Sequence, residues 1–251
     1  MRVLISNDDG IESPGLIALK EALDKEHDVW VTAPDRERSG TSHSITLREP
    51  VRFREVSPQM FACNGTPADT VLYALLGAIP VQPELIISGI NRGPNLGTDI
   101  IYSGTAAAAR QGALVGIPSI AVSVAPILPP FPYRHAARFV RMNLDILLGL
   151  WSSDHFININ FPQESEEEYV VAITHPSRRI YSDRADEYVA LNGDRYYFLS
   201  GEAIHAEEEK GSDWNAIQEG HISISPVYLH PMNHEETHMY QAARFRMEND
   251  E

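Results

Sequence analysis

From residue 2 to about residue 160, short apolar runs rich in β-branched residues alternate with stretches of helical periodicity, and this alternation constrains the fold more than any other feature of the chain. Strands that alternate with helices are joined by crossovers, so they lie parallel in one sheet with helices on its faces. "RVLISN" reads as the first strand, and "DVWVTAP" as the second. Between them lies "SPGLIALKEALDKE", a helix with Pro14 near its start and Leu16, Leu19 and Leu23 on one face. "ITLREPVRFREV" reads as a pair of edge strands broken at Pro50, "TPADTVLYALLGA" as a helix and "ELIISGIN" as the third buried strand. A small-residue helix, "TAAAARQGALVG", the strand "PSIAVSV" and one amphipathic helix, "YRHAARFVRMNLDILLGL", follow. After "FININFP" the pattern changes. Residues 169 to 200 alternate aromatic, aliphatic and polar side chains around "LNGDRYYFL", whose Asn192-Gly193 predicts a hairpin. "EAIHAEEEKGSDW" leads back to a short helix, "HISISPVYL" is a strand, and the tail from His234 reads as polar and helical. The expected organisation is an α/β core over residues 1–163 and a β-rich extension over 164–251, with 213–230 returning to the core.

Composition narrows the partners. The 251 residues carry a net charge of −15, which disfavours a duplex nucleic acid, because such a surface needs clustered Lys and Arg. A small phosphorylated ligand is compatible with that charge if a cation accompanies it. One cysteine, Cys63, excludes an internal disulfide and suits a reducing compartment. With no apolar run of about 18 residues, the chain is expected to be soluble, cytoplasmic and without a membrane partner.

In a parallel sheet the carboxyl ends of all strands lie on one edge, and ligands bind there near the point where strand order reverses. Loops after the first three buried strands therefore converge. They carry Asp8 and Asp9; then Ser39, Gly40, Thr41 and His43; then Asn91, Asn95, Ser103, Gly104 and Thr105. An Asp-Asp-Gly at a strand end is ordinary turn chemistry. It is also what a hard divalent cation needs, since the ion offsets the repulsion between adjacent carboxylates. Likewise the Ser-Gly-Thr of residues 103 to 105 reads as a helix cap or as an anion seat, and the two are compatible because both use the same free N–H groups. Arg92 adds either charge to this pocket or a solvated surface group.

Several lookalikes fail. A receiver domain needs an aspartate where this chain has Asn91, a dehalogenase-like phosphatase needs Asp-x-Asp after the first strand, and the dinucleotide fingerprint G-x-G-x-x-G is missing there. "HEETH" at residues 234 to 238 fits the zinc-protease pattern, but its flanks are polar and it is read as a solvated segment. "CNGTPAD" reads as scaffold: a turn, an N-cap at Thr66, proline at the first helical position and Asp69 closing the cap.

Taken together and in this order, "SNDDGIESPG", "APDRERSGTSHSIT", "CNGTPADTV", "SGINRGPNLGTDIIYSGTAAAAR" and "GHISISPV" resemble the SurE (survival protein E) family of metal-dependent nucleotidases. The resemblance implies a Rossmann-like, mostly parallel sheet flanked by helices, with a C-terminal β-hairpin-rich extension exchanged between subunits of a homodimer or homotetramer. It implies phosphomonoesterase activity on nucleoside 5′-monophosphates, and also on 3′-monophosphates and short polyphosphate. It places one divalent cation, Mn²⁺ or Mg²⁺, on Asp8, Asp9, Ser39 and Asn91. Asp8, Asp9 and Asn91 are then expected to act in catalysis, while Ser39, Gly40, Asn91, Asn95, Ser103, Gly104 and Thr105 bind phosphate. The general acid is open between Asp8, a bound water and His43. A rival reading is a sensor that binds phosphate or a nucleotide at the same loops without turnover.

Overall fold

Val, Ile and Leu runs with no polar alternation need cover on both faces, and the sheet meets that need by lying between two helical layers. A computed structural model of the chain describes residues 1–163, 170–201, 205–206, 209–230 and 241. Its strands are β1 (Arg2–Ser6), β2 (Asp28–Pro34), β3 (Phe53–Ser57), β4 (Met60–Cys63), β5 (Leu85–Arg92), β6 (Ser119–Val124), β7 (His155–Phe161), β8 (Val171–Ile173), β9 (Arg179–Ile180), β10 (Arg184–Val189), β11 (Arg195–Ser200), β12 (His205–Ala206) and β13 (Ile222–Tyr228). Its α-helices are α1 (Pro14–Leu23), α2 (Pro67–Tyr73), α3 (Gly104–Ala113), α4 (Tyr133–Met142), α5 (Leu144–Leu150) and α6 (Asp213–Gln218). No helix among the described residues is long and apolar enough to cross a membrane.

Among the described residues the main sheet has nine strands, in the order β3-β4-β2-β1-β5-β6-β7-β13-β8. Pairs from β4 through β7 are parallel, whereas β3 and β13 run antiparallel to their neighbours β4 and β7. The chain winds outward from β1 in one direction through β2 and in the other through β5, so the strand order reverses between β1 and β5. Leu16, Leu19 and Leu23 of α1 pack with Ala136, Ala137 and Val140 of α4 on one face. Val71 and Ala74, from α2 and the turn after it, pack with Ala108 of α3 on the other. All three leucines are fully buried, so truncating any one to Ala costs about 2–5 kcal/mol.

Three local expectations are corrected. "ITLREPVRFREV" forms only one strand, β3, because Ser44 and Thr46 use their main chain on α2 rather than on a ladder: Thr66 Oγ1 donates to the Ser44 carbonyl at 2.7 Å and Thr46 N to Asp69 Oδ1 at 3.0 Å. The helix expected over residues 133–150 is two helices divided at Asn143, whose φ of −110° leaves the helical range. Regular helix in "TPADTVLYALLGA" stops at Tyr73; a wider turn continues through Ala78, with Gly77 at φ 107°. The capping box is present as read, with Thr66 and Asp69 exchanging bonds at 2.9 and 3.1 Å. The Asn192-Gly193 hairpin joins β10 and β11 into a separate two-stranded ribbon. "HEETH" lies outside the described residues.

Candidate active site

Asp8 and Asp9 stand just past β1, with one residue between, Asn91 is the penultimate residue of β5, and these two strands flank the reversal of strand order, where ligands of open α/β sheets settle. Hydrogen bonds draw the three loops together. Arg38 N donates to the Asp8 carbonyl at 2.7 Å and joins the loop after β2 to the loop after β1. Arg92 N donates to Asp9 Oδ2 at 3.0 Å and joins the end of β5 to the same loop. Ser42 closes the circle: its N donates to the Tyr102 carbonyl at 3.0 Å and its hydroxyl to that of Ile101 at 2.7 Å.

Asp8 is buried, 4% exposed, against the start of α3. The Thr105 hydroxyl donates to Asp8 Oδ1. Gly104 makes this approach feasible, because a Cβ there would stand 2.8 Å from Asp8 Cβ and 2.9 Å from Oδ2. Burial holds the Asp8 carboxyl above its usual range, opposed by Thr105 and the amides at the helix start. Those amides therefore already face an anion, the Asp8 carboxylate. Asp9 is partly buried and its carboxyl is pushed up to about 6 by burial and by the Asp8 charge, against the Arg92 amide. The site thus concentrates two carboxylates that the fold itself makes costly to ionise.

Such a pair fits a cation. Among the described residues no group of three or more His, Cys, Asp or Glu side chains could hold a metal, so a metal here would rest on two carboxylates and neutral oxygens. Asn91 suits that role: its Nδ2 donates to the Gly93 carbonyl at 2.9 Å, which fixes the amide and leaves Oδ1 as the acceptor to offer. Ser39 is in the right loop but exposed, and its hydroxyl donates to Glu37 Oε1 at 3.0 Å. Gly40 follows it in a turn at φ 72°.

The other expected residues divide by role. Ser103 caps α3 by accepting from Ala106 N at 3.0 Å. Asn95 is an anchor: its Nδ2 donates to Ser123 Oγ at 2.8 Å, its N to Asn160 Oδ1 at 2.8 Å, and its carbonyl accepts from Asn158 and Asn160. His43 contacts Gln111 Oε1 through Nε2 at 2.9 Å, on the flank of α3, and burial holds its pKa down. Thr41 turns its hydroxyl back to the Arg38 carbonyl.

Beside Asp9 opens a cleft of about 350 Å³ that includes Glu12, Arg36, Glu37, Arg92 and Tyr133 in its walls. Tyr133 was not among the residues picked from sequence. It begins α4 after β6, so it lies on the same sheet edge, and extending the edge rule to the fourth loop would have found it. Asp213 lies outside the expected site set: its carboxylate accepts from Gly97 N at 2.7 Å, Ser177 N at 2.9 Å and Trp214 N at 2.8 Å, and so clamps the loop after β5 to the C-terminal region.

A doubly wound α/β sheet with a carboxylate pair at its switch point, backed by a capped helix start, defines a Rossmann-like protein with an oxygen-lined candidate site. Comparison with known proteins makes the class specific. The survival protein SurE family matches residues 3–183. The 5′-nucleotidase SurE of Geotalea uraniireducens is 40% identical over 237 residues, covering 93% of this chain and 95% of the relative. That of Petrotoga mobilis is 42% identical over 234 residues, covering 90% and 92%. The crystal structure of the SurE protein from Aquifex aeolicus superposes with a TM-score of 0.83 at 35% identity, over 96% of this chain and 98% of that one. The chain belongs to the SurE family.

Proposed function

We propose that this protein is a metal-dependent 5′-nucleotidase that hydrolyses nucleoside 5′-monophosphates to nucleoside and phosphate, with 3′-monophosphates and short polyphosphate as further substrates. The observation that carries the reading is the Asp8 carboxylate, buried beside Asp9 and bound by Thr105 at the start of α3. A divalent cation, Mn²⁺ or Mg²⁺, when bound by Asp8, Asp9, Asn91 and Ser39, supplies positive charge to the phosphoryl oxygens and lowers the pKa of a water. The chain does the rest. Asp8 and Asp9 contribute charge that Thr105, the α3 amides and Arg92 offset only in part, leaving the remainder to a cation. Ser103, Gly104 and Thr105 orient phosphoryl oxygens at the positive end of α3, sharing their amides with Asp8. Gly40 and Ser39 close the opposite side, Asn95 keeps the loop after β5 in place, and Arg92 and Tyr133 wall the cleft that receives the nucleoside.

Residues 1–163 form the catalytic core and 164–251 an extension that serves assembly, with 213–230 returning to the core. The ribbon β10–β11 supports that division: its aromatic and aliphatic side chains are exposed, Leu199 at 81%, and a lone two-stranded ribbon is marginal in water. Exchange of this ribbon within a cytoplasmic homodimer or homotetramer buries it.

Phosphate release from a panel of 5′- and 3′-nucleotides tests the activity. Turnover should vanish with EDTA and return with Mn²⁺ or Mg²⁺, and Asp8→Asn should lose at least about 100-fold while keeping its fold by circular dichroism, since a ligand matters more than the outer partners worth 10–100-fold. Nucleotide binding without any release would favour the sensor instead.

A further inference from the structure

The cleft beside Asp9 does not end at Tyr133. Pro14 and Tyr133 are walls of both this cleft and a second hollow of about 610 Å³. Ala18, Glu21 and Arg134 are in turn shared between that hollow and a third, of about 420 Å³, which reaches Lys25, Arg138 and Arg141. The three adjoin in series and form a groove that leads from the site edge along the seam between α1 and α4. Both helices begin at the site edge, because each follows a parallel strand, and they run side by side away from it: Tyr133 stands near Pro14, while Arg141 at the far end pairs with Glu26.

Beyond the first cleft, whose walls carry Asp9, Glu12, Asp35 and Glu37 against Arg36 and Arg92, the charge of this groove is opposite to that of the molecule. In a chain of net charge −15, it gathers Lys25, Arg134, Arg138 and Arg141 against Glu21 and Glu26. Arg134 and Arg138 are exposed, and neither makes a hydrogen bond or ion pair with another described residue. They lie one helical turn apart, about 6 Å along the axis, on the same face of α4. Two such exposed guanidinium groups in line with the proposed phosphate-cleaving centre are the arrangement that positions successive phosphates of a flexible anion.

We propose that the α1/α4 groove is a subsite for the downstream phosphodiesters of a short single-stranded oligonucleotide whose terminal 5′-phosphate enters the cleft at Asp8 and Asp9. This rests on the nucleotidase reading above and extends its substrate class. The reaction is the same: water adds to the terminal phosphorus, the P–O bond to the 5′-carbon oxygen breaks, that oxygen takes a proton, and inorganic phosphate leaves. The internal phosphodiesters bind and are not cut.

The test compares 5′-AMP with 5′-phosphorylated tri-adenylate on the full-length protein. The trimer should show roughly tenfold higher kcat/KM, the worth of two exposed charge contacts, and the gain should shrink as salt rises. Arg134→Ala with Arg138→Ala should remove the gain and leave 5′-AMP turnover unchanged, whereas the paired Lys substitutions should retain most of it. Fluorescence anisotropy with a 3′-labelled 5′-phosphorylated tri-adenylate reads the same contacts without turnover: the double Ala variant should bind roughly tenfold more weakly. If 5′-AMP is not hydrolysed, the nucleotidase reading fails, and the anisotropy arm still decides the groove. The subsite is overturned if the trimer has no advantage, if the double Ala variant matches the wild type in both assays, or if the arginines affect only linear polyphosphate.

Discussion

At the scale of single residues, Asp9 shows how function opposes stability. Its carboxyl ionises at about 6 in the folded chain against an ordinary 3.8, so between these values the folded state holds more proton than the unfolded state. Stability is therefore lost as pH rises through that window. Asp9→Asn removes the penalty: chelated protein should melt roughly 2–4 °C higher than wild type at pH 8 and equally at pH 4, by calorimetry. An equal melting temperature at pH 8 would mean that burial does not penalise this carboxylate. The acidic pair was legible in the sequence because it stands at a strand end beside glycine. What Asn95 does was not, since its anchoring bonds to Ser123 and Asn160 depend on which strands adjoin β5, and no local pattern records that.

Elements tell the same story one level up. The parallel strands and crossover helices were readable because apolar period and turn residues agree along the first 160 residues. One failure came where long-range bonds overrode local pattern: Thr46 is drawn to Asp69 and cannot pair in an edge strand. Asp213, at the start of the six-residue helix α6, is a second such device. It fixes Gly97, where a Cβ would meet the Ser177 carbonyl at 2.0 Å, and thereby sets the path of the loop that leads from Asn91 to Thr105. Asp213→Ala strands three backbone donors and should destabilise by about 2–4 kcal/mol in urea denaturation, with a loss of activity beyond that of the unfolded fraction. Asp213→Asn should recover part of the loss. Wild-type stability in the Ala variant would remove the clamp from this account.

For the whole molecule, charge and exposed surface point in different directions. The acidic chain repels polyanions at large, yet the α1/α4 groove inverts that sign locally, and the β10–β11 ribbon leaves Tyr188, Phe198 and Leu199 uncovered. Tyr188 and Phe198 meet edge to face at 5.5 Å, an aromatic pair suited to a partner's surface. Light scattering after gel filtration should therefore give a mass of two or four chains of 28.0 kDa, and Phe198→Asp should reduce it. A monomeric wild type would leave the ribbon without its function. The most direct test of the central claim is anomalous diffraction from crystals soaked in Mn²⁺. One strong peak per chain is expected at about 2.0–2.3 Å from oxygens of Asp8, Asp9, Asn91 and Ser39; a peak bound elsewhere, or none at this carboxylate pair, would rule out this cation site.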